Sequence, residues 1–289
     1  TEGNALQAFE SDGFQMGNVS NSNSSSYNYV AWNWKANGSG SSNTAGSINS
    51  TVSANVDAGF SIVSYTGTGA NATVGHGLSV APEMIIVKNR ETSSTKWPVY
   101  HASNSPPYSS ISETQAVFLD ETAVNTVDST YWNDTSPSST VFSVGTSSLV
   151  NQSSIDLIAY AFHSVDGYSK VGTYIGNGVA LGTFIHTGFK PAYVMVRSTT
   201  YTNQYAWLIL DNKRDPFNTA KKHLFADASI AELESTDNAN AYDNNGDPLM
   251  DFYANGFKPR ARDNGNNGSG ANYIYIAFAE TPFKYSNAR

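Results

Sequence analysis

Residues 59–90 read GFSIVSYTGTGANATVGHGLSVAPEMIIVKNR, and residues 167–198 read GYSKVGTYIGNGVALGTFIHTGFKPAYVMVRS. Both stretches begin with glycine, an aromatic residue and serine, and both then turn through a Gly-x-Gly pair. Each also carries a proline shortly before an apolar run that ends in a basic residue. Self-similarity of this kind is the signature of a repeated structural unit. The sequence therefore predicts two copies of one module.

The similarity continues beyond these stretches. Trp97–His101 matches Trp207–Asp211, and the closing segment Leu157–Phe162 matches Tyr273–Phe278. A third copy of the closing segment, Tyr29–Trp34, lies near the N-terminus. We therefore expect four parts: the C-terminal part of a preceding repeat at 1–38, a Ser/Gly/Asn-rich linker or loop at 39–57, β module 1 at 58–166 and β module 2 at 167–289.

The joins between these parts differ. Residues 36–55 are rich in Ser, Gly, Asn and Thr, which is typical of a flexible connection. Phe162–Tyr168 instead runs straight from one module into the next, so we expect the two modules to abut rigidly. The front of the first copy is missing, and we therefore expect that Thr1 is not the true start of the gene product.

Strand signals dominate both modules. Phe60–Tyr65 alternates in polarity, as a half-buried strand does, whereas Met84–Val87 is apolar and rich in β-branched residues, which predicts a strand buried on both faces. Trp97–Tyr100 and Trp207–Leu210 are predicted strands whose tryptophans lie in the core. With Gly, Asn and Pro turns between the strands, the predicted fold class is all-β: tandem β-sandwich or jelly-roll-like modules with little helix. Ala226–Glu234 is the best helix candidate, and 110–125 is a weaker one.

The composition limits the possible functions. Charged residues make up 14% of the chain, against about 25% in an average protein. The formal net charge is −8, and nucleic acid is not an expected partner, because phosphate binding needs clustered Lys and Arg. The absence of cysteine excludes disulfides, Cys–zinc sites and thiol catalysis. No apolar run approaches the ~20 residues that span a bilayer, so we expect no membrane insertion.

Several strings resemble one known module. They are the first stretch quoted above, IAYAFHSVDGYSKVGTYIGNG at 158–178, DNKRDPFN at 211–218 and YIAFAETPFKYSNAR at 275–289. These strings are similar to a repeat module of marine tailed-phage virion structural or tail-fibre proteins of the cyanophage and pelagiphage kind. The resemblance runs from near Gly59 to Arg289. It implies a virion protein with no transferable catalytic residues and a natural C-terminus at Arg289.

We expect no enzymatic activity. His76 lies in a Gly-His-Gly turn, with His186 as its neighbour in the second module and no G-x-S-x-G nucleophile in the sequence. We interpret it as a turn histidine bonded to backbone, with a general base or a ligand as the alternative. The other histidines, His101, His163 and His223, show no metal spacing.

Glycoside hydrolysis needs two carboxylates at a fixed separation. The candidate acids are Asp120, Glu121, Asp128, Asp134, Asp211 and Asp215. Asp211 corresponds to His101 in the other module, so the acidic position is not shared. The segment 211–215 is better interpreted as a salt-bridged turn after a strand.

Two binding sites remain as hypotheses. Asp243, Asn245 and Asp247 could place three oxygens around calcium, although the Gly and Glu that an EF-hand requires are not in place and a solvated turn is the alternative. No other cofactor is expected. Exposed aromatic rings can stack on sugars. The candidate glycan-binding residues are Tyr108, Tyr131 and Trp132. The alternative is that Trp132 packs into the core or an interface.

The preferred functional hypothesis is a bacteriophage virion structural protein, a tail-fibre or appendage module that contributes to host attachment. Its expected partners are other virion proteins, copies of itself in a homo-oligomer with a trimer favoured, and a host surface glycan. Its expected location is the virion surface, after assembly in the bacterial cytoplasm. A capsid decoration protein (cement or knob), a lectin-like glycan-binding module and an enzyme acting on host polysaccharide are the alternatives.

Overall fold

The chain folds almost entirely into antiparallel β-sheets. A computed structural model describes residues 5–102, 113–122, 126–201, 206–235, 249–260 and 264–282. The chain divides into two compact units, Thr1–Lys35 and Ala36–Arg289. The first unit contains a hairpin of β1 (Leu6–Phe9) and β2 (Phe14–Met16), followed by the short helix α1 (Ser20–Asn23).

The first module of the second unit has one large and one small sheet. Its elements are β3 (Ser41–Asn43), β4 (Ser50–Asn55), β5 (Phe60–Thr66), β6 (Ala72–Gly75), β7 (Met84–Asn89), β8 (Pro98–His101), β9 (Gln115–Phe118), β10 (Thr126–Val127), α2 (Ser129–Trp132), β11 (Val141–Val144), α3 (Ser148–Asn151) and β12 (Asp156–Phe162). The large sheet has the strand order β10-β9-β8-β7-β12-β5-β4-β3, and β11 pairs with β6 in the small sheet.

The second module repeats this plan. Its strands are β13 (Ser169–Ile175), β14 (Ile185–His186), β15 (Pro191–Ser198), β16 (Leu208–Asp211), β17 (Lys222–Phe225), β18 (Leu233–Glu234), β19 (Met250–Tyr253), β20 (Gly256–Pro259) and β21 (Asn272–Ala279). The large sheet has the order β13-β21-β15-β16-β17-β18, and the small sheet has the order β14-β20-β19. The predicted all-β sandwich class is confirmed.

Each module has its own core between its two sheets. At equivalent places in these cores, a tyrosine from the large sheet meets a phenylalanine from the small sheet edge to face. The pairs are Tyr65 with Phe142 and Tyr174 with Phe257, each with ring centroids 6.1 Å apart. Each tyrosine hydroxyl also donates to a backbone carbonyl of its own module at 2.7 Å. The two modules that are similar in sequence therefore also have similar side-chain packing in their cores.

The strands predicted within the repeats are present. The segments at 60–65, 84–87, 97–100, 207–210, 157–162 and 273–278 lie in or overlap β5, β7, β8, β16, β12 and β21. Met84–Val87 is buried throughout, as expected for a strand covered on both faces. Trp207 is fully buried, whereas Trp97 is only half-buried, with the Lys88 ammonium 5.0 Å above its ring, so the prediction that Trp97 lies in the core is wrong.

The prediction of a linker or loop at 39–57 is wrong. This segment contains β3 and β4, and β4 pairs along its whole length with β5. Ile48 and Val52 are buried in the core of the first module. These strands bury few apolar residues, which are widely spaced among Ser, Thr and Asn. The composition of the segment therefore resembles that of a linker, although it forms strands.

Two other expectations are also corrected. Tyr29–Trp34, expected as the closing strand of a preceding repeat, belongs to no strand. In the two full modules this segment is a central strand bonded on both sides, and residues 5–35 supply no such neighbours. Ala226–Glu234 is not helical and ends in β18. The weaker helix candidate at 110–125 contains β9 in its described part.

The two large sheets differ in how they fill the same space. Val63 pairs with Ala159 in the first module, and Gly172 pairs with Tyr275 at the equivalent place in the second. A Cβ on Gly172 would lie 2.6 Å from the Tyr275 hydroxyl. The valine and alanine of the first module are thus replaced by a glycine and a tyrosine in the second. This exchange conserves the side-chain volume in the core.

Candidate functional site

The predicted glycan-binding aromatics do not form an exposed surface. Trp132 is 1% exposed, its Nε1 donates to the Gln115 carbonyl at 3.0 Å, and its ring meets Tyr100 edge to face at 5.8 Å. Tyr131 is also buried and meets Phe118 at 5.9 Å. The prediction of exposed rings is therefore wrong for these two residues, because α2 turns both side chains into the core. Tyr108 lies outside the described residues.

The hypothesis of a calcium site falls on residues that the structure does not describe, since Asp243, Asn245 and Asp247 lie between residues 235 and 249. Within the described ranges, no group of three or more His, Asp or Glu side chains could hold a metal ion. The three helices in those ranges are four residues long each, and none could cross a bilayer.

His76 has the backbone contacts of a structural turn residue. The Leu78 N–H donates to its Nδ1 at 3.2 Å, and its Nε2 lies 3.1 Å from the Ser138 carbonyl. Burial lowers the pKa of His76, so the neutral ring is favoured. With one nitrogen accepting and the other donating, no lone pair remains for a general base or a metal. His186, its neighbour in the second module, is exposed.

Five of the six candidate acids have structural partners, and the sixth, Asp134, is exposed. Asp211 forms an ion pair with Arg214 at 2.6 Å, as predicted for this turn, and Arg214 also pairs with Glu232. Burial acts to raise the pKa of Asp211, but the hydrogen bonds and charge of Arg214 hold it below its ordinary value. The others bind as follows: Asp120 accepts from the Trp97 N–H, Glu121 pairs with Lys96, Asp128 caps α2 and Asp215 accepts from the Lys221 N–H.

The junction between the modules concentrates buried polar contacts. Arg197 is 2% exposed, its planar guanidinium lies 5.6 Å from the centroid of the Trp207 ring, and it donates to the Phe118 carbonyl at 3.1 Å and to the Glu121 carbonyl. The Trp207 Nε1 donates to the same Phe118 carbonyl at 2.8 Å. Burial lowers the pKa of Arg197 to about 10. A second contact joins His101 Nε2 to the Tyr275 carbonyl at 3.4 Å.

Apolar side chains complete the junction. Strand residues alternate between the two faces of a sheet, so the buried residues next to those in each core point the other way. In the first module these are Met84, Ile86 and Val99, and in the second they are Met195, Ile209, Ile274 and Ile276. Phe162 meets Phe278 edge to face at 6.1 Å across the junction. Strands β7, β8, β15, β16 and β21 of the large sheets therefore carry buried residues on both faces.

A cleft of about 420 Å³ opens at one edge of the second module. It lies between the large and the small sheet, at the ends of β13 and β14. Its lining includes Thr173, Tyr174 and Ile175 from one sheet and Phe184, Ile185 and His186 from the other. The sequence analysis did not predict this cleft. The sequence signal for the cleft is that the second module is not preceded by a segment like 41–55, which covers the equivalent edge of the first module.

Comparisons with known proteins add a family and little else. A family model described as a domain of unknown function, DUF7483, matches residues 1–282. Neither the curated proteins nor the solved structures give a significant match.

Proposed function

We propose, on the premise that this chain belongs to the domain family of unknown function DUF7483, that it is a structural component of a tailed-phage virion. In this proposal it is a tail-fibre or appendage module that contributes to host attachment. It acts through its surface and its connections to other copies and other virion proteins, and it catalyses no reaction.

The observation that carries this proposal is the junction between the modules. A flexible tether would leave the modules independent, whereas Arg197, Trp207 and Phe162 tie them together through buried contacts. Buried hydrogen bonds and ring contacts favour one relative placement of the parts. A rigid pair of repeated modules suits a load-transmitting spacer better than it suits a catalyst, whose site needs accessible reactive groups.

The chemistry of the described residues supports the same proposal. His76 and five of the six acids considered for catalysis are engaged in turns, caps and ion pairs. The surface is low in charge and rich in uncharged polar groups. Such a surface depends little on ionic strength, because salt screens surface charges within about 8 Å at physiological concentration. For a fibre we propose a symmetric homo-oligomer, with three copies as the favoured number.

Immunogold labelling of purified phage particles that encode this chain tests the proposal. An antiserum against the purified chain should label the tail or its appendages. Label spread over the capsid would favour the alternative of a decoration protein, and quantitative mass spectrometry would then give far more copies per particle than a tail holds. Particles without any label, in a lysate where free chain is detected, would contradict a virion role.

A further inference from the structure

We propose that the open edge of the second module is a docking site for an extended strand from another polypeptide. The strand would add to β13 of the large sheet and reach β14 of the small sheet. Its chemistry would be that of residues 47–52, which occupy the equivalent position in the first module. This inference goes beyond the proposed function and does not depend on it.

The first module shows what covers this edge. β4 pairs with β5 in the large sheet, with β3 as the border strand beyond it, and the residues just before β4 bond to β6 of the small sheet. The Ile48 N–H donates to the Thr73 carbonyl at 2.9 Å, and the Ser50 hydroxyl donates to the Gly75 carbonyl at 2.8 Å. Ile48 is buried in the core. One segment thus closes the sandwich by bonding to both of its sheets.

Strand register fixes the equivalent positions in the second module. Ser64 pairs with Ile158 in the first module, and Thr173 pairs with Ile274 in the second. In the small sheets, Val74 pairs with Phe142, and Ile185 pairs with Phe257. Thr173 therefore corresponds to Ser64, the partner of Thr51, and Ile185 corresponds to Val74, the partner of Ile48. The cleft lies where residues 48–51 would lie.

Among the described residues, those of the chain itself bond to the first half of this edge. Val165 exchanges two backbone hydrogen bonds with Ser169, and the Ser164 hydroxyl bonds to the backbone N–H and carbonyl of Val171. The next outward-facing residue is Thr173. No hydrogen bond among the described residues engages its N–H or its carbonyl. The six residues between β12 and β13 are too few to supply another strand, because β12 is already central in the first module.

Exposed apolar side chains lie along the segment 179–184, which leads into the cleft. Val179, Leu181 and Phe184 are 41–63% exposed, and Phe184 meets the partly exposed Tyr253 edge to face at 5.7 Å. An unpaired strand edge beside apolar side chains is a template for strand addition, in which backbone bonds give affinity and alternate side chains give specificity. The geometry therefore selects a short strand with a β-branched apolar residue for the core and small polar residues elsewhere.

Disulfide trapping tests the docking and its register, since the chain has no cysteine of its own. The probe is a synthetic peptide of residues 43–52, NTAGSINSTV, with Thr51→Cys, mixed with the full chain carrying Thr173→Cys. Directly opposed residues of paired strands have Cα atoms about 4.5–5.5 Å apart, which suits a disulfide. We expect rapid cross-linking. The same peptide with the cysteine moved to Thr44, or with Ile48→Asp added, should cross-link at the background rate.

Fluorescence anisotropy with the labelled peptide measures affinity. Thr173→Pro removes the outward N–H, and proline is tolerated where a strand edge is free. It should weaken binding by about tenfold or more, because a backbone bond is lost and the ring blocks approach. Thr173→Val keeps the N–H and is the matched control, which should bind like the unaltered chain. Circular dichroism and thermal unfolding report whether each variant keeps its fold.

Each outcome of these experiments either supports or contradicts the proposed docking site. Register-specific cross-linking supports the proposal, and equal rates for the Thr51→Cys and Thr44→Cys peptides would overturn it. Should Thr173→Pro fail to fold, the trapping experiment still decides. Self-association of the full chain that Thr173→Pro abolishes would also support the site, with a second copy as the source of the strand. Peptide binding that Thr173→Pro leaves unchanged would place the peptide elsewhere and contradict the proposal.

Discussion

Arg197 is the charged side chain on which the module junction depends most directly. A buried cation is tolerated only when its N–H groups find acceptors, because desolvation otherwise destabilises the charged form. The Phe118 and Glu121 carbonyls provide these acceptors, and the face of Trp207 covers the guanidinium. The side chain therefore joins the second module to the backbone of the first.

Replacing Arg197 with Ala should lower the free energy of unfolding by about 2–4 kcal/mol, because buried carbonyls lose a charged donor and a void forms beside Trp207. Urea denaturation followed by tryptophan fluorescence measures the change. Lys213→Ala is the matched control, since Lys213 is 74% exposed and pairs with Glu280 at 3.4 Å. This control should change stability by about 0.5 kcal/mol or less. Equal effects of the two changes would contradict the account of the junction.

Buried histidine makes stability depend on pH. Burial lowers the pKa of His76. Burial also lowers the pKa of His101, from 6.5 to about 4. Between pH 4 and pH 6.5, His101 of the unfolded chain binds a proton that His101 of the folded chain does not bind. The contribution of His101 is complete above pH 6.5 and is lost as the pH falls toward 4, by up to about 3 kcal/mol.

We therefore expect the free energy of unfolding to fall as the pH is lowered through this window, and His101→Gln should reduce the slope. Equilibrium denaturation in a series of buffers measures it. His186→Gln provides the control, because it makes the same substitution at an exposed position. If the free energy of unfolding of the His101→Gln variant falls with pH as steeply as that of the unaltered chain, the titration of His101 does not cause the pH dependence.

Local sequence predicted the direction of some side chains and missed others. His76 bonds to backbone as its Gly-rich turn indicated. Trp132 lies among polar residues in the sequence, which predicts an exposed ring, but the ring is buried. Polar neighbours along the chain do not report where a side chain points, because α2 buries Tyr131 and Trp132 while Ser129 of the same turn stays exposed.

At the level of elements, the strands within the repeat were the most predictable. Long apolar or alternating runs such as those of β5 and β7 carry a strong periodic signal. β4 was missed, because its sequence STVSAN has one large apolar residue and its burial depends on β5. The segment at 226–234 has helix-forming residues but forms no helix, since tertiary packing overrides weak local preference. The cleft is not predicted, because its signal is the absence of a segment like β4, and β4 itself is not recognised as a strand in the first module.

Ile48→Ala tests whether the residues before β4 belong to the core. Ile48 is 6% exposed and packs in the first module, so its truncation should cost about 2–5 kcal/mol of stability. Thr51→Ala in the neighbouring strand is the control, because Thr51 is exposed, and it should cost about 1 kcal/mol or less. Thermal and urea unfolding measure both. No loss from Ile48→Ala would restore the interpretation of this segment as a loop.

For the whole molecule, the junction couples the folding of the two modules. Each module has a separate core, and two independent cores would melt separately. The buried faces of the large sheets, with the Phe162–Phe278 contact, give each module a share of stability that exists only when the other is folded. Duplication has therefore produced one compact unit, Ala36–Arg289.

Scanning calorimetry should consequently show one transition for both modules, with the calorimetric enthalpy equal to the van't Hoff enthalpy. Arg197→Ala should broaden this transition or split it, because it weakens the coupling more than it weakens either core. Two well-separated transitions in the unaltered chain would show that the modules unfold independently and would contradict the coupling.

The absence of a linker between the modules has a consequence for longer arrays. A module that directly follows another, as after Phe162, has no preceding segment with which to close its own edge. An array extended in this way would carry one open edge at every junction, so its valency would grow with its length. Weak strand addition at each edge would then combine, because linked sites raise the effective concentration of the next contact. The number of repeats would set the avidity of the array without any change to the individual site.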